Sequence, residues 1–320
     1  MLNELYYNDT FILSLPESNL KYFVEVEKNK SINNQYIKKF RQNNFTYSYG
    51  FNPHQKCQTP PKMFIIVRTS ACNWKERQVI RQTWGDETQL RGVNISTVFM
   101  LGNCQNQMCQ FENHSIIHCQ ELLDSEDNQH KDLIQGTFLD TYLNSTEKMF
   151  AALNWLVTYC PFTEYAFFVD DDFYVSVSNL LKSAEKYSQI SNGYLYMGHV
   201  FENMRPMRQH FSRHYISLAE YPFSRYPPYA TGGCFLVNNS TLIDLFYGSL
   251  HFPKFRFDDV FLGLIARQLK INIINNEQIY IENKATYSSS NFKNVIASHW
   301  YNDPDELKNV WNEQKKLGFA

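Results

Sequence analysis

The run Tyr165-Ala166-Phe167-Phe168-Val169-Asp170-Asp171-Asp172 decides how the fold of this chain is interpreted. An unbroken apolar segment of this length is typical of a strand that is buried on both faces of a sheet. Three aspartates follow at the point where that strand ends. Because ligands bind at the carboxyl ends of strands in open α/β sheets, the acidic cluster lies where function is expected.

The acidic cluster is interpreted as a metal site. Neighbouring carboxylates repel each other and raise each other's pKa unless a cation lies between them. Oxygen ligands of this kind suit a hard divalent ion such as Mn²⁺ or Mg²⁺. A calcium loop would need glycine and an acid where the chain has Val175 and Leu181. A helix N-cap explains one aspartate better than three.

Composition narrows the class of protein. The chain has 320 residues, 43% of them hydrophobic, enough for one large α/β domain or two ordinary ones. Its formal net charge of -2 gives no reason to expect nucleic acid as a partner. No apolar run approaches the ~20 residues that span a bilayer, so a membrane anchor is expected to be missing from this chain or to lie upstream of it.

The cysteines point to an oxidising compartment. The chain has 7 cysteines without C-x-x-C pairs, which favours disulfides over a zinc site and leaves at least one thiol over. Several Asn-X-Ser/Thr sequons also occur, among them Asn44, Asn94 and Asn144. Together these features indicate the lumen of the secretory pathway.

The chain divides near residue 60. Residues 1–60 lack sustained periodicity and are predicted to be a stem or spacer, partly disordered, whereas 61–320 is predicted to form one folded domain. Strands and helices alternate in that domain, which favours a largely parallel sheet covered on both faces. The predicted strands are 63–67, 97–101, 165–169, 194–199, 215–218, 230–237 and 295–298. The predicted helices are 74–84, part of 106–125, 143–159, 178–187, 241–247, 260–269 and 304–314.

Two further segments carry charged groups at informative spacing. Arg77 and Arg81 lie one helical turn apart, so both guanidinium groups share a face that suits a diphosphate. The alternative, which the spacing taken alone favours, is a solvated basic helix face. Asp258 and Asp259 begin a helix, where they act either as capping residues or, for one carboxylate, as a general base toward a hydroxyl.

Two other segments combine residue types found in sugar and metal sites. Tyr229 precedes Gly232 and Gly233, so an aromatic face for a sugar ring is joined to glycines that admit a ligand close to the backbone. A turn and bulge explain the same residues about as well. His299 has either a structural role or completes a metal site that carboxylates begin.

Taken together, these segments resemble the inverting beta-1,3-glycosyltransferase family, which includes beta-1,3-galactosyltransferases and beta-1,3-N-acetylglucosaminyltransferases. The similarity runs from about Lys62 to Trp300 and leaves the first 60 residues outside it. The matching segments are RQVIRQTWG (77–85), VFMLG (98–102), DLIQGTFLDTYLNSTEKM (132–149), FFVDDDFYV (167–175), YPPYATGGCFLV (226–237), DDVFLGLIARQL (258–269) and SHW (298–300). The resemblance implies a GT-A type glycosyltransferase fold in 61–320, with a mixed, mostly parallel sheet between helices.

The resemblance also assigns roles to residues of this chain. It implies that Asp170 and Asp172 form a DxD motif that holds Mn²⁺ or Mg²⁺, with Asp172 as direct ligand and His299 completing the site. It implies that Asp259 is the catalytic base. The remaining assignments are Arg77, Arg81, Asp170 and Asp171 on the donor nucleotide, Tyr229, Gly232, Gly233 and Asp258 on the acceptor or sugar, and Asn144 as a glycosylation site. The family more often has Glu at the position of Asp258.

The function implied is a metal-dependent, inverting transfer of a hexose from a UDP-sugar to the 3-hydroxyl of an acceptor glycan. Galactose is the first choice of donor sugar and N-acetylglucosamine the next, whereas glycoprotein, glycolipid and proteoglycan acceptors all stay open. The family implies a type II membrane protein of the Golgi. Two other classes remain: a non-catalytic relative that binds UDP-sugar or glycan, and a metal-dependent hydrolase of nucleotide sugars.

Overall fold

A computed structural model describes residues 19–29, 38–111, 115–288 and 290–320. Its strands are β1 (Met63–Arg68), β2 (Ile95–Asn103), β3 (Met108–Gln110), β4 (Ile116–His118), β5 (Leu133–Leu139), β6 (Tyr165–Asp170), β7 (Tyr174–Val175), β8 (Tyr196–Phe201), β9 (Tyr229–Asn238), β10 (Ile274–Asn275), β11 (Ile279–Tyr280) and β12 (Ala297–Ser298). Its α-helices are α1 (Asn19–Lys28), α2 (Trp74–Arg81), α3 (Cys119–His130), α4 (Ser145–Tyr159), α5 (Val177–Ser188), α6 (Asn239–His251), α7 (Asp258–Gln268) and α8 (Pro304–Lys316).

The centre of the molecule is a seven-stranded sheet in the order β10-β8-β9-β6-β1-β2-β5. Strand β1 pairs in parallel with β2 and β6, β2 with β5, and β8 with β10, whereas β9 is antiparallel to both β6 and β8. The predicted mixed, mostly parallel sheet is therefore confirmed. In the register of β1 with β6, Arg68 lies opposite Asp170, so a cation and an acid end neighbouring strands.

Helices cover both faces of this sheet. Along β1, Met63, Ile65 and Val67 face a core built with α2, α3, α5 and α8, while Phe64 and Ile66 face a second core built with α1, α4, α6 and α7. Because both faces are buried, the central strands are apolar without alternation. The α/β fold class expected from the resemblance is confirmed by this layered arrangement.

Two segments differ from the prediction. Within 106–125, where a helix was predicted in part, the chain forms the hairpin β3–β4, and α3 starts at Cys119. Disulfides from Cys109 to Cys72 and from Cys119 to Cys104 fix this region, a constraint that periodicity does not report. The predicted strand 215–218 is wrong: Tyr215 forms an isolated bridge with Met207, and the Ile216 carbonyl accepts a hydrogen bond from Arg208 at 2.8 Å.

The predicted disulfides are confirmed. In addition to the two pairs above, Cys57 is joined to Cys160, and Cys234 is a free, buried thiol. The disulfide between Cys57 and Cys160 ties the segment before β1 to the end of α4. No helix in the described part of the chain is both long enough and apolar enough to cross a membrane.

Part of the region predicted as a stem packs against the domain. Leu20 and Val24 of α1 are buried, and Glu27 accepts hydrogen bonds from Arg41 at 2.8 and 2.7 Å and lies 3.0 Å from His251 of α6. The predicted boundary at residue 60 stays a prediction, and residues 1–18 and 30–37 lie outside the described residues.

Candidate functional site

A cavity of about 460 Å³, here called the cleft, opens at the carboxyl ends of β1 and β6 beside the start of α7. The strand ends bring the acidic cluster into it, as the sequence predicts, and Asp258 and Asp259 come to the same cavity from α7. Its lining residues are Arg68, Thr69, Ser70, Asn73, Asp140, Thr141, Tyr142, Ser145, Lys148, Asp170, Asp171, Asp172, Thr231, Gly232, Gly233, Asp258 and Asp259.

The middle aspartate of the cluster holds the loop after β1. Asp171 accepts a hydrogen bond from the Thr69 hydroxyl at 2.5 Å and from the Asn73 side-chain amide at 2.9 Å. Burial raises the pKa of Asp171, while these two donors counteract part of that rise. One of its oxygens is thus already used to join β6 to the start of α2.

Asp172 and His299 face each other. Asp172 Oδ2 lies 3.0 Å from His299 Nε2, and the Tyr301 N–H donates to the Asp172 carbonyl at 2.8 Å. The imidazole also stacks on Phe173 with ring centroids 4.7 Å apart. Burial lowers the pKa of His299, but the hydrogen bond and charge of Asp172 outweigh it and raise that pKa overall. The structure therefore brings together two predicted metal ligands that are distant in sequence.

These side chains fit a divalent cation. Asp172 Oδ1 is buried and has no hydrogen-bond partner, so an acceptor is left for a ligand to satisfy. Among the described residues, the one set of three ligand atoms within 4.8 Å of each other belongs to Cys72, Cys109 and Cys119, which are in disulfides. The acids in the described part of the chain thus form no closed three-ligand cage.

Arg68 joins the two acidic ends of the cleft. It donates to Asp170 Oδ1, to Asp258 Oδ2 and to the Gly232 carbonyl, each at 2.6 Å. Burial raises the pKa of Asp170 to about 7, although Arg68 counteracts that effect. Arg68 is not among the predicted site residues; its one local signal is that it directly follows the apolar run 63–67.

Asp259 is the residue predicted to be the general base. It lines the cleft, and its Oδ1 accepts a hydrogen bond from the Val260 N–H at 2.7 Å. Burial and, next, the neighbouring charge of Asp258 raise the pKa of Asp259 to about 7. A carboxylate whose pKa lies near neutrality can accept a proton from a hydroxyl with greater driving force than an exposed aspartate.

The glycine pair lets β9 pass close to the acids. A Cβ atom at Gly232 would lie 3.2 Å from Asp258 Oδ2, and one at Gly233 would lie 3.4 Å from Asp170 Oδ2. The structure therefore brings both glycines to the cleft, as predicted from the sequence. Asn144, beside the rim, donates from Nδ2 to the Leu139 carbonyl at 2.9 Å, and its glycosylation stays a prediction.

Tyr229 does not line the cleft. It starts β9, is buried, and packs edge-on against Tyr226 with ring centroids 6.2 Å apart. A Cβ at Gly263 of α7 would lie 2.6 Å from the Tyr229 Cβ, so the tyrosine backbone is pressed against that helix. Tyr229 therefore packs against α7. The contact with a sugar that was predicted for Tyr229 stays a prediction, because this side chain does not line the cleft.

The structure does not bring Arg77 and Arg81 to the cleft. Arg77 is fully buried and donates to Glu126 at 2.8 and 2.6 Å, while Arg81 donates to Asp132 at 2.8 Å from two nitrogens. Their shared face is turned toward the acids of α3 and the start of β5 instead of toward a ligand. The prediction that they line the nucleotide side is therefore corrected by this geometry, because their charges are already neutralised by those acids.

The cations that do line the cleft are Arg68 and Lys148. Lys148 of α4 donates from Nζ to the Thr69 carbonyl at 2.6 Å and to Asp140 Oδ1 at 2.7 Å. It lies within the segment 132–149 that carries the family resemblance, but nothing in its spacing distinguished it from a surface lysine.

Comparison with known proteins gives one consistent result. Residues 75–277 match the family model described as Galactosyltransferase. The chain is 34% identical over 272 residues to "Beta-1,3-galactosyltransferase brn" of Drosophila melanogaster, covering 85% of this chain and 80% of the relative. It is 29% identical over 279 residues to "Beta-1,3-galactosyltransferase 5" of Homo sapiens, covering 85% and 86%.

Among solved structures, similarity is found to a glycosyltransferase involved in the glycosylation of the major capsid of PBCV-1. That match has 14% identity and a TM-score of 0.38, and it covers 77% of this chain and 98% of the other. The similarity is weak, and the fold assignment rests on the sheet and its helix layers.

Proposed function

Because the chain belongs to the galactosyltransferase family, we propose that it is a beta-1,3-galactosyltransferase, an enzyme that moves galactose from UDP-galactose to the 3-hydroxyl of an acceptor glycan. The observation that carries this proposal is that one cleft is lined by Asp170 and Asp172, at and just after the end of β6, and by Asp259 of α7. A transferase needs both, since the leaving group and the attacking hydroxyl lie on opposite sides of the transferred sugar.

Asp259 is proposed to start the reaction. Its carboxylate accepts the proton of the acceptor 3-hydroxyl, and that oxygen forms a bond to the anomeric carbon of galactose. The bond between the anomeric carbon and the UDP oxygen breaks in the same displacement, so an alpha-linked donor gives a beta-linked product. The raised pKa of Asp259 supports this role, because the free enzyme then holds a base matched to neutral pH.

Asp172, Asp170 and His299 are proposed to hold a divalent metal ion, Mn²⁺ or Mg²⁺, together with the donor diphosphate. When bound, such an ion supplies positive charge that stabilises the departing UDP. The unpartnered Asp172 Oδ1 supports the assignment. Asp171 contributes to donor binding indirectly, since it fixes Thr69 and Asn73, which line the cleft.

Gly232 and Gly233 are proposed to form the floor under the transferred sugar, with Asp258 at its edge. N-acetylglucosamine is the second donor sugar to consider.

The proposed setting is the lumen of the secretory pathway, in the Golgi. The three disulfides support this setting, since such bonds persist in oxidising compartments.

A donor screen tests this proposal against the two other classes. The protein is incubated with Mn²⁺ and UDP-galactose, UDP-N-acetylglucosamine or UDP-glucose, each with and without a glycan acceptor, and both UDP release and product are measured. Galactose transfer that needs the acceptor supports the proposal. Equal UDP release without acceptor indicates a hydrolase, and UDP-sugar binding without turnover indicates a binding protein.

A further inference from the structure

We infer that Arg68 is a positioning residue, whose guanidinium group holds Asp170 and Asp258 at a fixed separation across the cleft. The inference deepens the proposed function and rests on it, because it assigns to Arg68 the task of keeping the donor end and the acceptor end of one active site in register.

The contacts of Arg68 reach three separate elements. Nη2 donates to Asp170 at the end of β6 and to the Gly232 carbonyl in β9, and Nη1 donates to Asp258 at the start of α7, all at 2.6 Å. The side chain is only 9% exposed. These charge-assisted bonds are short and directional, so a movement of any one of the three elements stretches at least one of them.

The same contacts argue against a direct role in phosphate binding. Arg68 has five N–H groups, of which three are used by Asp170, Asp258 and Gly232. The N–H groups that remain, on Nε and Nη1, lie on different edges of the guanidinium. A bidentate fork toward a phosphate is therefore not available, and the guanidinium acts through the carboxylates that it holds.

Removal of this cation would leave two acids facing each other. Asp170 and Asp258 would then lose their shared partner, and repulsion would drive them apart. Asp259 would also lose a positive charge that lowers its pKa.

The test uses Arg68→Met and Arg68→Lys in the full chain, with Arg41→Met as a matched control. Arg41 also forms an arginine–carboxylate pair, with Glu27, but between α1 and the loop that follows it. We expect Arg68→Met to lower kcat by about 100-fold, since a misplacement of about 1 Å costs that much. The acidic limb of kcat/KM should move up by about one pH unit.

Arg68→Lys should restore the pH limb but not kcat, because a single ammonium replaces the charge without reaching both acids. Arg41→Met should lower the denaturation midpoint and leave the limb unchanged. The inference is overturned if Arg68→Met keeps the wild-type acidic limb of kcat/KM against pH and its loss of activity equals the fraction of the protein that is unfolded. It is equally overturned if Arg68→Lys, the variant that keeps the charge and hence the fold, has wild-type kcat.

Failure of the proposed function gives a different pattern. If the wild-type protein transfers no sugar, the proposed function fails, and the carboxyl ¹³C titration of Asp259 decides the role of Arg68 without any turnover. An upward shift of that titration in Arg68→Met relative to Arg41→Met, with Arg68→Lys close to Arg41→Met, supports the inference. Identical titrations in all variants contradict it.

Discussion

Replacing Arg77 by methionine distinguishes a structural role for this arginine from a role in donor binding. Arg77 is fully buried on α2, and its guanidinium donates to Glu126, to the Ser70 carbonyl at 2.7 Å and to the Ala71 carbonyl at 3.0 Å. The methionine fills similar volume but satisfies none of these acceptors. We therefore expect Arg77→Met to destabilise the fold and to leave the affinity for UDP-sugar unchanged.

The size of the effect follows from what remains after the substitution. Breaking a buried ion pair typically costs 3–5 kcal/mol, because a buried charge is left uncompensated. Glu126 still has Arg81 at 2.7 Å, so the loss should lie near the lower end, at about 3 kcal/mol. Pairing with these arginines lowers the pKa of Glu126 although burial raises it. The stabilisation is thus present above the ordinary value of 4.5 and is lost as the pH falls through the lower, folded-state value.

The assay is denaturant unfolding followed by tryptophan fluorescence, since Trp84 is buried close to α2. The stability difference between wild type and Arg77→Met should be largest near neutral pH and should shrink below about pH 4.5. Glu126→Gln is the matched control, because it removes the same pair from the other side. The KM for the donor is measured under conditions where each variant is folded.

A loss of donor binding without a loss of stability would contradict the structural role of Arg77. An Arg77→Met protein with an unchanged denaturation midpoint and a donor KM raised tenfold or more would show that the arginine acts on the nucleotide. In that case the buried pair with Glu126 would not describe the state that binds the donor.

Three further predictions concern the cleft. The kcat/KM for the acceptor should rise with pH and level off above about 7, because the raised pKa of Asp259 sets the pH at which its carboxylate loses its proton. A flat profile between about pH 5 and 8 would exclude Asp259 as the base. Gly232→Ala should slow transfer at least tenfold, more than Gly233→Ala, because the new Cβ at position 232 would lie 3.2 Å from Asp258 and Arg68 keeps that carboxylate from moving away. Equal rates for the two variants would contradict this. Removal of metal ions by a chelator should abolish transfer, and added Mn²⁺ should restore it. The Asp172→Asn variant should need more Mn²⁺ to reach half of its maximal rate. Turnover that survives exhaustive chelation would contradict a metal role.

The strand and the acids that follow it could be predicted because both signals are local. An apolar run that ends in charge reports burial and a strand end within eight residues, and the glycine pair is equally local. The cleft arises because parallel strands share one edge, a general property of such sheets. Asp170 reaches the cleft for that reason, whereas Asp259 reaches it from the first turn of α7.

The orientation of the arginines could not be predicted, since it depends on distant partners. Glu126 lies 49 residues from Arg77 in sequence, on a helix whose start is fixed by disulfides. Arg68 is the converse case, because its partners Asp170 and Asp258 lie 102 and 190 residues away. A periodic pattern reports which face of an element is polar, but it does not report which charge that face meets.

The substitution Asp259→Asn isolates the proposed role of Asp259 as general base, because asparagine keeps the shape of the side chain and removes its basicity. Transfer of galactose and binding of UDP are measured on the same purified protein, with wild type alongside. We expect transfer to fall by about 10²–10⁴-fold while UDP affinity changes by no more than about twofold. Near-normal turnover of Asp259→Asn would contradict the assignment of the base and, with it, the division of the cleft into a leaving-group end and a proton-accepting end.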